Sequence, residues 1–363
     1  MARYDVISAD SHVAEPGDLW QNYMESPLRQ RAPHVRTEAD TDVFVCEGLD
    51  DFNVGLLAPA GTDPKKLSRK GRYADSRKGG WDPDERLKDM ATDGVDAEVI
   101  YPTLAMRMYK VADVEFQDAL FRAYNSWLSD FCNAYPDRLK GIAVVSLDDI
   151  ERGMAETRRA AALGLRGVMV SSTPQEHELY TDLRYDPFWS LCQELDLPVS
   201  LHLFTGSKAH TTIDHWLVEY TVSPHWVQQS VAALIFGGVF VRFPRLKVIS
   251  VENDIGWAGT FLERIDHAYE RHRHWSSTSA GLTRRPSDYF HDHVYLTFMR
   301  DHTGIEIRHR IGLDNIMWSN DYPHTDSIWP HSREVIVSLF EGVPEAEKRR
   351  IVCDNAAELY HFA

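Results

Sequence analysis

Cysteine is scarce in this chain, and its few cysteines form no pattern typical of a disulfide framework or a sulfur-rich metal site. The 363 residues include only Cys46, Cys132, Cys192 and Cys353, and no two of them form a Cys-x-x-Cys pair. Free, scattered cysteines are typical of proteins that fold in a reducing compartment. The sequence therefore predicts a cytoplasmic protein that is stabilised by an apolar core rather than by disulfides.

Long apolar runs and an excess of basic residues are missing as well. The first residues, MARYDVISADSH, are charged and polar where a signal peptide would be apolar, and no window is apolar enough to span a bilayer. The 39 Lys and Arg are outnumbered by 55 Asp and Glu, which gives a formal net charge of −16. This charge disfavours nucleic acid and anionic membranes as main partners. A small-molecule substrate is expected instead.

The chain is rich in short β-branched runs that alternate with helical patterns. These runs are apolar without strict alternation, as expected for parallel strands that are buried on both faces. The predicted strands are Tyr4–Ala9, Ala97–Tyr101, Gly141–Leu147, Gly167–Ser171, Pro198–Leu203, Leu246–Val251, His293–Phe298 and Asn315–Trp318. Eight strands that alternate with helices favour an α/β fold of the (β/α)8 TIM-barrel type. A doubly wound open sheet is the alternative, but its glycine-rich turn is absent after the first strand.

One connection between predicted strands is far longer than a usual loop. The first strand is followed by a long insertion, in which residues 20–84 contain charge-rich pieces and Asp, Gly and Pro turns. We expect this segment to form a cap or an oligomer contact. The whole chain, 1–363, is predicted to be a single barrel domain.

Histidine and aspartate residues stand at the ends of three predicted strands. Asp10 and His12 follow the first strand, His202 lies near the end of the fifth, and Asp321 follows the eighth. Each has an ordinary explanation by itself, such as a turn aspartate or a buried core histidine. In a parallel barrel, however, all strand ends meet at one rim. Two imidazoles and two carboxylates suit Zn²⁺, Mn²⁺ or Fe²⁺, so the sequence predicts one divalent ion, with Zn²⁺ as the first expectation.

Four motifs resemble one enzyme family. ADSHVAEP, PVSLH, IFGGVFVRFPRLKVI and WSNDYPH are similar to sequences of the amidohydrolase-related (amidohydrolase 2) family, which includes aminocarboxymuconate semialdehyde decarboxylase-like enzymes. The resemblance covers nearly the whole chain. It implies a distorted TIM barrel with one catalytic divalent ion, which is held by Asp10, His12, His202 and Asp321. It also implies that Asp321 shuttles protons and that the protein forms a homodimer, as members of the family often do.

The chain departs from the family's decarboxylases at one position of the predicted site. Those enzymes usually have histidine at the end of the sixth strand, where this chain has Glu252. A glutamate there is a candidate second base, or it can be held neutral by burial. The fourth strand ends in Ser171 and offers no lysine to bridge two metals, which favours a mononuclear site.

Four further residues are candidates for substrate binding. Arg107, after the second strand, can anchor a substrate carboxylate, although a solvated loop cation fits its position equally well. His225 opens a helix before the sixth strand, and His324 follows the eighth. Trp318 can supply an aromatic wall, with core packing as the alternative.

The predicted site is compatible with more than one reaction. The main prediction is hydrolysis of an amide, lactone or related carbonyl substrate by metal-activated water, with Asp321 as general base and acid. The alternative is non-oxidative decarboxylation of an aromatic or muconate-like acid, in which Asp321 protonates carbon. Glu252 in place of histidine favours hydrolysis, whereas Arg107 favours decarboxylation. A barrel that only binds a small molecule is a second alternative, against which the complete set of ligands argues.

Overall fold

The computed structural model describes residues 4–25, 27–174, 179–206, 216–276 and 281–362. In chain order, the strands within these ranges are β1 (Ile7–His12), β2 (His34–Thr37), β3 (Asp42–Val45), β4 (Phe52–Asn53), β5 (Ala97–Tyr101), β6 (Leu139–Val144), β7 (Gly167–Val170), β8 (Val199–His202), β9 (Val248–Val251), β10 (Val294–Phe298) and β11 (Ile316–Trp318). The helices are α1 (Leu19–Tyr23), α2 (Pro83–Asp93), α3 (Leu104–Arg107), α4 (Val114–Asn133), α5 (Ile150–Ala162), α6 (Asp186–Glu194), α7 (Trp216–Val222), α8 (Pro224–Phe236), α9 (Val239–Arg242), α10 (Trp257–His272), α11 (Pro286–His293), α12 (His302–Glu306), α13 (Arg308–Ile311), α14 (Ser332–Leu339), α15 (Glu345–Arg349) and α16 (Asn355–Tyr360).

Eight of the strands form a single parallel sheet that curls into a nearly closed barrel. Its order is β1-β5-β6-β7-β8-β9-β10-β11, so that each strand pairs with the next barrel strand along the chain. Beyond β11, Asp321 N donates to Asp10 O at 3.1 Å and His12 N donates to Tyr322 O at 2.6 Å, which joins the last strand to the first. The predicted (β/α)8 TIM barrel is confirmed. The doubly wound alternative is wrong, because an open sheet would keep two free edges.

The first barrel strand differs from its prediction in a way that matters for the site. β1 runs from Ile7 to His12 rather than over Tyr4–Ala9, so Asp10 and His12 lie within the strand. The pairing of β1 with β5 shifts register between Ser8 and Ser11. Every residue of β1 is buried, including its polar ones. The run Asp-Ser-His is untypical of a buried strand, which is why the apolar pattern ended the prediction too early.

The helices follow the patterns of their sequences. α4 begins where Asp113 accepts a hydrogen bond from Phe116 N at 3.1 Å, as a helix N-cap does. α5 begins in the same way at Asp149, whose side chain accepts from Arg152 N at 3.1 Å. Gly164 follows α5 with a φ of +90°, a left-handed conformation that glycine adopts without strain.

Among the described residues, no helix combines the length and apolarity that a bilayer crossing requires.

The long connection between β1 and β5 has a structure of its own. It contains α1, the antiparallel sheet β2-β3-β4, and α2. Arg86 of α2 is fully buried and ties this segment to the barrel. Its Nε donates to Glu98 Oε2 at 2.5 Å, and its Nη1 donates to His12 O at 2.7 Å. That residues 20–84 act as a cap or an oligomer contact on a single domain stays a prediction.

Candidate metal centre

Four side chains from three barrel strands come together at the carboxyl rim. His12 Nε2 lies 3.3 Å from Asp10 Oδ1 and 3.3 Å from Asp321 Oδ1. His202 Nε2 lies 3.6 Å from the same oxygen of Asp10. None of the four side chains is more than 1% exposed. Asp10, His12 and His202 thus form one group whose ligand atoms all lie within 4.8 Å of one another, and Asp321 forms a second such group with His12 and His324, so that His12 joins the two.

The atoms that face one another in this cluster have no hydrogen-bond partner among the described residues. They are both carboxylate oxygens of Asp10, Nε2 of His12, Nε2 of His202, and Oδ2 of Asp321. Buried polar atoms are nearly always satisfied, and an unsatisfied one costs about 1–3 kcal/mol. Imidazole nitrogens and carboxylate oxygens are ligands that first-row divalent metals accept. The donor set therefore fits one divalent ion.

Backbone carbonyls fix the orientation of both imidazoles. His12 Nδ1 lies 2.7 Å from Pro102 O, and His202 Nδ1 lies 3.1 Å from Leu203 O. A carbonyl only accepts, so Nδ1 of each ring must carry a proton, and in the neutral form of the ring Nε2 presents its lone pair to the cluster. Burial, followed by the charge of His324, lowers the pKa of His12 to about 3. His12 is thus held in the neutral form that a metal ion requires.

The charges within the cluster differ between its members. Burial opposes ionisation of Asp10, but the adjacent His12 and His202 hold the pKa of this carboxyl well below its usual range. Burial also lowers the pKa of His202, but the nearby Asp10 carboxylate outweighs it and leaves this pKa raised. The cluster therefore contains a carboxylate that attracts a positive charge, either a proton or a metal cation.

Asp321 is linked to a second histidine through a short chain of hydrogen bonds. Its Oδ1 lies 2.8 Å from His324 Nδ1. His324 Nε2 lies 2.8 Å from Thr103 Oγ1, and that hydroxyl donates its proton to Val13 O at 2.6 Å. His324 Nε2 must therefore be a donor, and Nδ1 of the neutral ring must be an acceptor. The proton between His324 and Asp321 then belongs to the carboxyl group of Asp321.

The electrostatics of this pair agree with that proton assignment. Burial, with His202 nearby, lowers the pKa of His324 to about 4. Burial and the charge of Asp10 raise the pKa of Asp321 well above its usual value. A bound divalent cation acts in the opposite direction on Asp321. Thr103 completes this arrangement, and nothing in the sequence marked it except its position just after β5.

Glu252 lies next to the cluster, directly after β9. Its Oε2 is 3.7 Å from His202 Nδ1, and its backbone has a φ of 58°, a left-handed conformation that is uncommon outside glycine. Burial and the charge of Asp321 raise the pKa of Glu252 well above its usual value. A neutral carboxyl group donates a proton rather than accepting one. The predicted role of Glu252 as a second base stays a prediction.

The predicted substrate-binding residues lie in different surroundings. Arg107 contacts the segment that precedes β5: its Nη2 donates to Asp50 O at 2.9 Å, and its guanidinium lies 4.6 Å from the centre of the Phe52 ring. His225 lines a cleft of about 820 Å³. Trp318 is fully buried at the end of β11. Their contacts with substrate stay predictions, as does the contact predicted for His324.

Comparison with known proteins identifies the family of this barrel. A family model described as amidohydrolase matches residues 12–362. The chain belongs to the amidohydrolase family. This confirms the resemblance seen in the four sequence motifs, and the protein is an enzyme of the amidohydrolase superfamily.

Individual relatives of this amidohydrolase-family chain are decarboxylases. Gamma-resorcylate decarboxylase of Polaromonas sp. (strain JS666) is 28% identical over 300 residues, which cover 76% of this chain and 86% of the relative. Other relatives include 2-amino-3-carboxymuconate-6-semialdehyde decarboxylases. The main prediction from the sequence, hydrolysis, is therefore wrong, and the decarboxylase alternative is better supported. The metal ligands serve both reactions, so the prediction had relied on Glu252 alone.

Solved structures share the fold. An amidohydrolase from Mycobacterium avium subsp. paratuberculosis K-10 has a TM-score of 0.81 with 22% identity, over 99% of this chain and 100% of that one. A dihydroxybenzoic acid decarboxylase from Polaromonas sp. JS666 has a TM-score of 0.65 with 21% identity, over 99% of this chain and 97% of that one. The latter structure contains manganese and the inhibitor 2-nitroresorcinol.

Proposed function

We propose that this amidohydrolase-family enzyme catalyses the metal-dependent, non-oxidative decarboxylation of a small aromatic or muconate-like carboxylic acid. The observation that carries the proposal is the hydrogen-bond chain from Asp321 Oδ1 through His324 to Thr103, because it supports a carboxyl group that can carry and deliver a proton beside the ligand atoms of the cluster. Decarboxylation needs an acid that protonates carbon, whereas hydrolysis begins with a base that takes a proton from water. The decarboxylase relatives support the same choice.

The residues that would hold the metal are Asp10, His12, His202 and Asp321. A divalent ion bound there supplies positive charge that binds and orients an acidic substrate. Zn²⁺ stays our first expectation for its identity. The manganese in the Polaromonas decarboxylase structure makes Mn²⁺ the other ion to test.

The residues of this chain account for the movement of the proton. Thr103 keeps His324 in the tautomer that leaves the proton on Asp321. Asp321 transfers this proton to the carbon that bears the substrate carboxylate. The bond between that carbon and the carboxyl carbon then breaks, its electron pair returns to the substrate, and CO2 leaves. Asp321 regains a proton from water, beside His324 and the carboxyl group of Glu252.

Isotope incorporation distinguishes decarboxylation from hydrolysis. We expect the metal-loaded enzyme to release CO2 from 2,6-dihydroxybenzoate or a carboxymuconate-like acid. In D2O, the product should carry one deuterium at the carbon that lost its carboxyl group. Gas analysis of the headspace and mass spectrometry of the product measure both quantities.

The control compares the same preparation with amide and lactone substrates. Their hydrolysis places no deuterium on carbon and releases no CO2. Turnover of those substrates without CO2 release from any acid tested would contradict the proposal.

The homodimer and the cytoplasmic location stay predictions. Gel filtration with light scattering tests the homodimer.

A further inference from the structure

A large cleft opens beside the metal centre at the carboxyl rim of the barrel. A pocket of about 140 Å³ contains Glu252, and it shares Asp254 and Arg300 with the cleft of about 820 Å³. The larger volume falls in the range of about 300–1,000 Å³ that holds drug-sized ligands. Glu252 reaches His202 of the cluster, and the next residue, Asn253, lines the cleft. A substrate that reacts at the metal can therefore extend past Glu252 into this space.

Asn253 presents an unused acceptor in the wall of this cleft. The residue is only 1% exposed. Its Nδ2 donates to Val251 O at 2.6 Å, and because a carbonyl only accepts, the amide orientation is fixed. Its Oδ1 has no partner among the described residues. A buried acceptor of this kind is satisfied by an O–H or N–H group from a ligand or a water molecule.

Arg300 presents an unused cation in the same cleft. It is exposed, it follows β10, and it forms no hydrogen bond or ion pair with the residues that the structure describes. The neighbouring Asp301 forms no ion pair with Arg300 among the described residues, and its carboxylate oxygens accept backbone N–H groups. Its Oδ2 accepts from Ile255 N at 2.8 Å and from Gly256 N at 2.5 Å, and its Oδ1 accepts from Gly304 N at 2.7 Å.

Carboxylates of the cleft compete with a ligand for Arg300: Asp254 and Asp301 line the cleft, and Glu252 and Asp326 line the adjoining pocket. Asp254 lines both spaces but forms no ion pair among the described residues. Burial, with Asp301 and Asp326 nearby, raises the pKa of Asp254 to about 6. Asp254 therefore loses much of its negative charge below about pH 6, and it competes less with a ligand for the guanidinium there than at higher pH.

We propose that this cleft binds an anionic arm of the substrate, remote from the reacting carboxyl group, and that Arg300 selects for that arm. The inference rests on the proposed decarboxylase function and narrows its substrate class to acids with a second carboxylate. A guanidinium binds a carboxylate through two parallel hydrogen bonds. The acceptor of Asn253 adds a place for a hydroxyl or amine on the same arm.

A matched pair of probes tests the selection by binding alone. Salicylate and 4-hydroxyisophthalate share a carboxylate beside a hydroxyl group and differ by a second carboxylate. We expect the metal-loaded wild type to bind 4-hydroxyisophthalate about tenfold more tightly than salicylate, as one charge-assisted contact allows. Titration calorimetry measures both affinities without turnover.

Variants assign the preference to Arg300. R300A should lose about tenfold in affinity for 4-hydroxyisophthalate and leave salicylate unchanged. R300K should keep part of the preference, because lysine retains the charge without the fork of two donors. D254N should tighten binding of the dianion. The control is R271A, which removes an exposed arginine of α10 that lies outside the lining of the cleft.

The inference is overturned if the wild type shows no preference for the dianion, or if R300A weakens both probes equally. It is also overturned if R271A has the same effect as R300A, which would indicate general charge attraction, or if D254N weakens the dianion. These outcomes do not depend on CO2 release. If the enzyme prefers 4-hydroxyisophthalate but releases CO2 from no acid tested, only the proposed function is contradicted. If it releases CO2 from salicylate-like acids but binds both probes equally, only the role of Arg300 is contradicted.

Discussion

Two buried carboxylates at the end of the first strand behave in opposite ways. Glu15 is fully buried, and its oxygens accept backbone N–H groups from Thr103 at 3.1 Å, Leu104 at 2.8 Å and Ala105 at 2.9 Å. Asp10 is 1% exposed, and neither of its oxygens has a hydrogen-bond partner among the described residues. The two carboxylates are thus similarly buried, but the oxygens of Glu15 are hydrogen-bonded, whereas those of Asp10 have no partner among the described residues.

This difference separates a structural carboxylate from one that awaits a ligand. Glu15 fixes the turn that begins α3, and that turn contains Thr103, the partner of His324. Asp10 instead faces two imidazole nitrogens that also have no hydrogen-bond partner in the part of the chain that the structure describes. The satisfied carboxylate therefore holds the scaffold on which the unsatisfied cluster depends. Each variant below alters one side of this comparison.

The largest effect is expected at Asp321. D321N keeps the shape of the side chain but cannot supply an acid proton, so CO2 release should fall by about 10³-fold, within the range for loss of a general acid. The melting temperature should change little. D314N, at an exposed aspartate that pairs with Arg350, is the control and should retain activity. An active D321N enzyme would remove the proton-transfer role of Asp321.

The satisfied carboxylate should affect stability. E15A leaves three buried N–H groups without an acceptor, and it should lower the free energy of unfolding by about 3 kcal/mol, as measured by urea denaturation. E25A, at a glutamate that is 84% exposed, should cost less than about 1 kcal/mol. Equal losses of unfolding free energy in the two variants would show that the hydrogen bonds of Glu15 do not stabilise the fold.

The contribution of Glu15 should also depend on pH. Burial raises its pKa from 4.5 to about 7, although its three N–H partners act in the opposite direction. A folded-state pKa above the unfolded value means that this part of its stabilisation is fully present below pH 4.5 and is lost as the pH rises through about 7. The stability difference between the wild type and E15A should therefore shrink across that window. A difference that grows with pH would contradict this sign.

Removal of the metal should destabilise the protein by a smaller amount. A ligand present at 100 times its dissociation constant stabilises the folded state by about 2.7 kcal/mol, so chelation should lower the melting temperature and added Zn²⁺ or Mn²⁺ should restore it. D10N should abolish the response to metal. Elemental analysis that finds no metal, together with an unchanged melting temperature after chelation, would argue against the site.

The smallest effect is expected at Arg107. Because the half-buried guanidinium contacts Asp50 and Phe52, R107A should leave substrate KM within about twofold and lower stability by about 1 kcal/mol, as point substitutions typically do. Steady-state kinetics with the best acid measures KM, and R300A in the same assay is the comparison. A large rise in KM for R107A alone would restore Arg107 as the carboxylate anchor.

The parts of the fold that sequence could predict are those encoded locally. Apolar runs and helical periodicity identified eight barrel strands, because burial on both faces of a parallel strand leaves a direct trace in composition. β1 was misplaced at its end because Asp10 and His12 are polar residues in a buried strand. At the site, the residue types at strand ends pointed to the cluster, but Thr103, which fixes His324, and Asn253, which lines the cleft, carry no local signal.

The sequence by itself determined the alternation of strands and helices and the placement of histidine and aspartate at the strand ends. Only the tertiary structure decided that Thr103 fixes the tautomer of His324 and that Arg107 contacts Asp50. It also decided that, among the described residues, Arg300 has no partner and Asp10 rather than Glu15 has oxygens without one. The physical reason is that hydrogen-bond satisfaction depends on which loops meet at the rim. That meeting is fixed by closure of the whole barrel and not by any single stretch of chain.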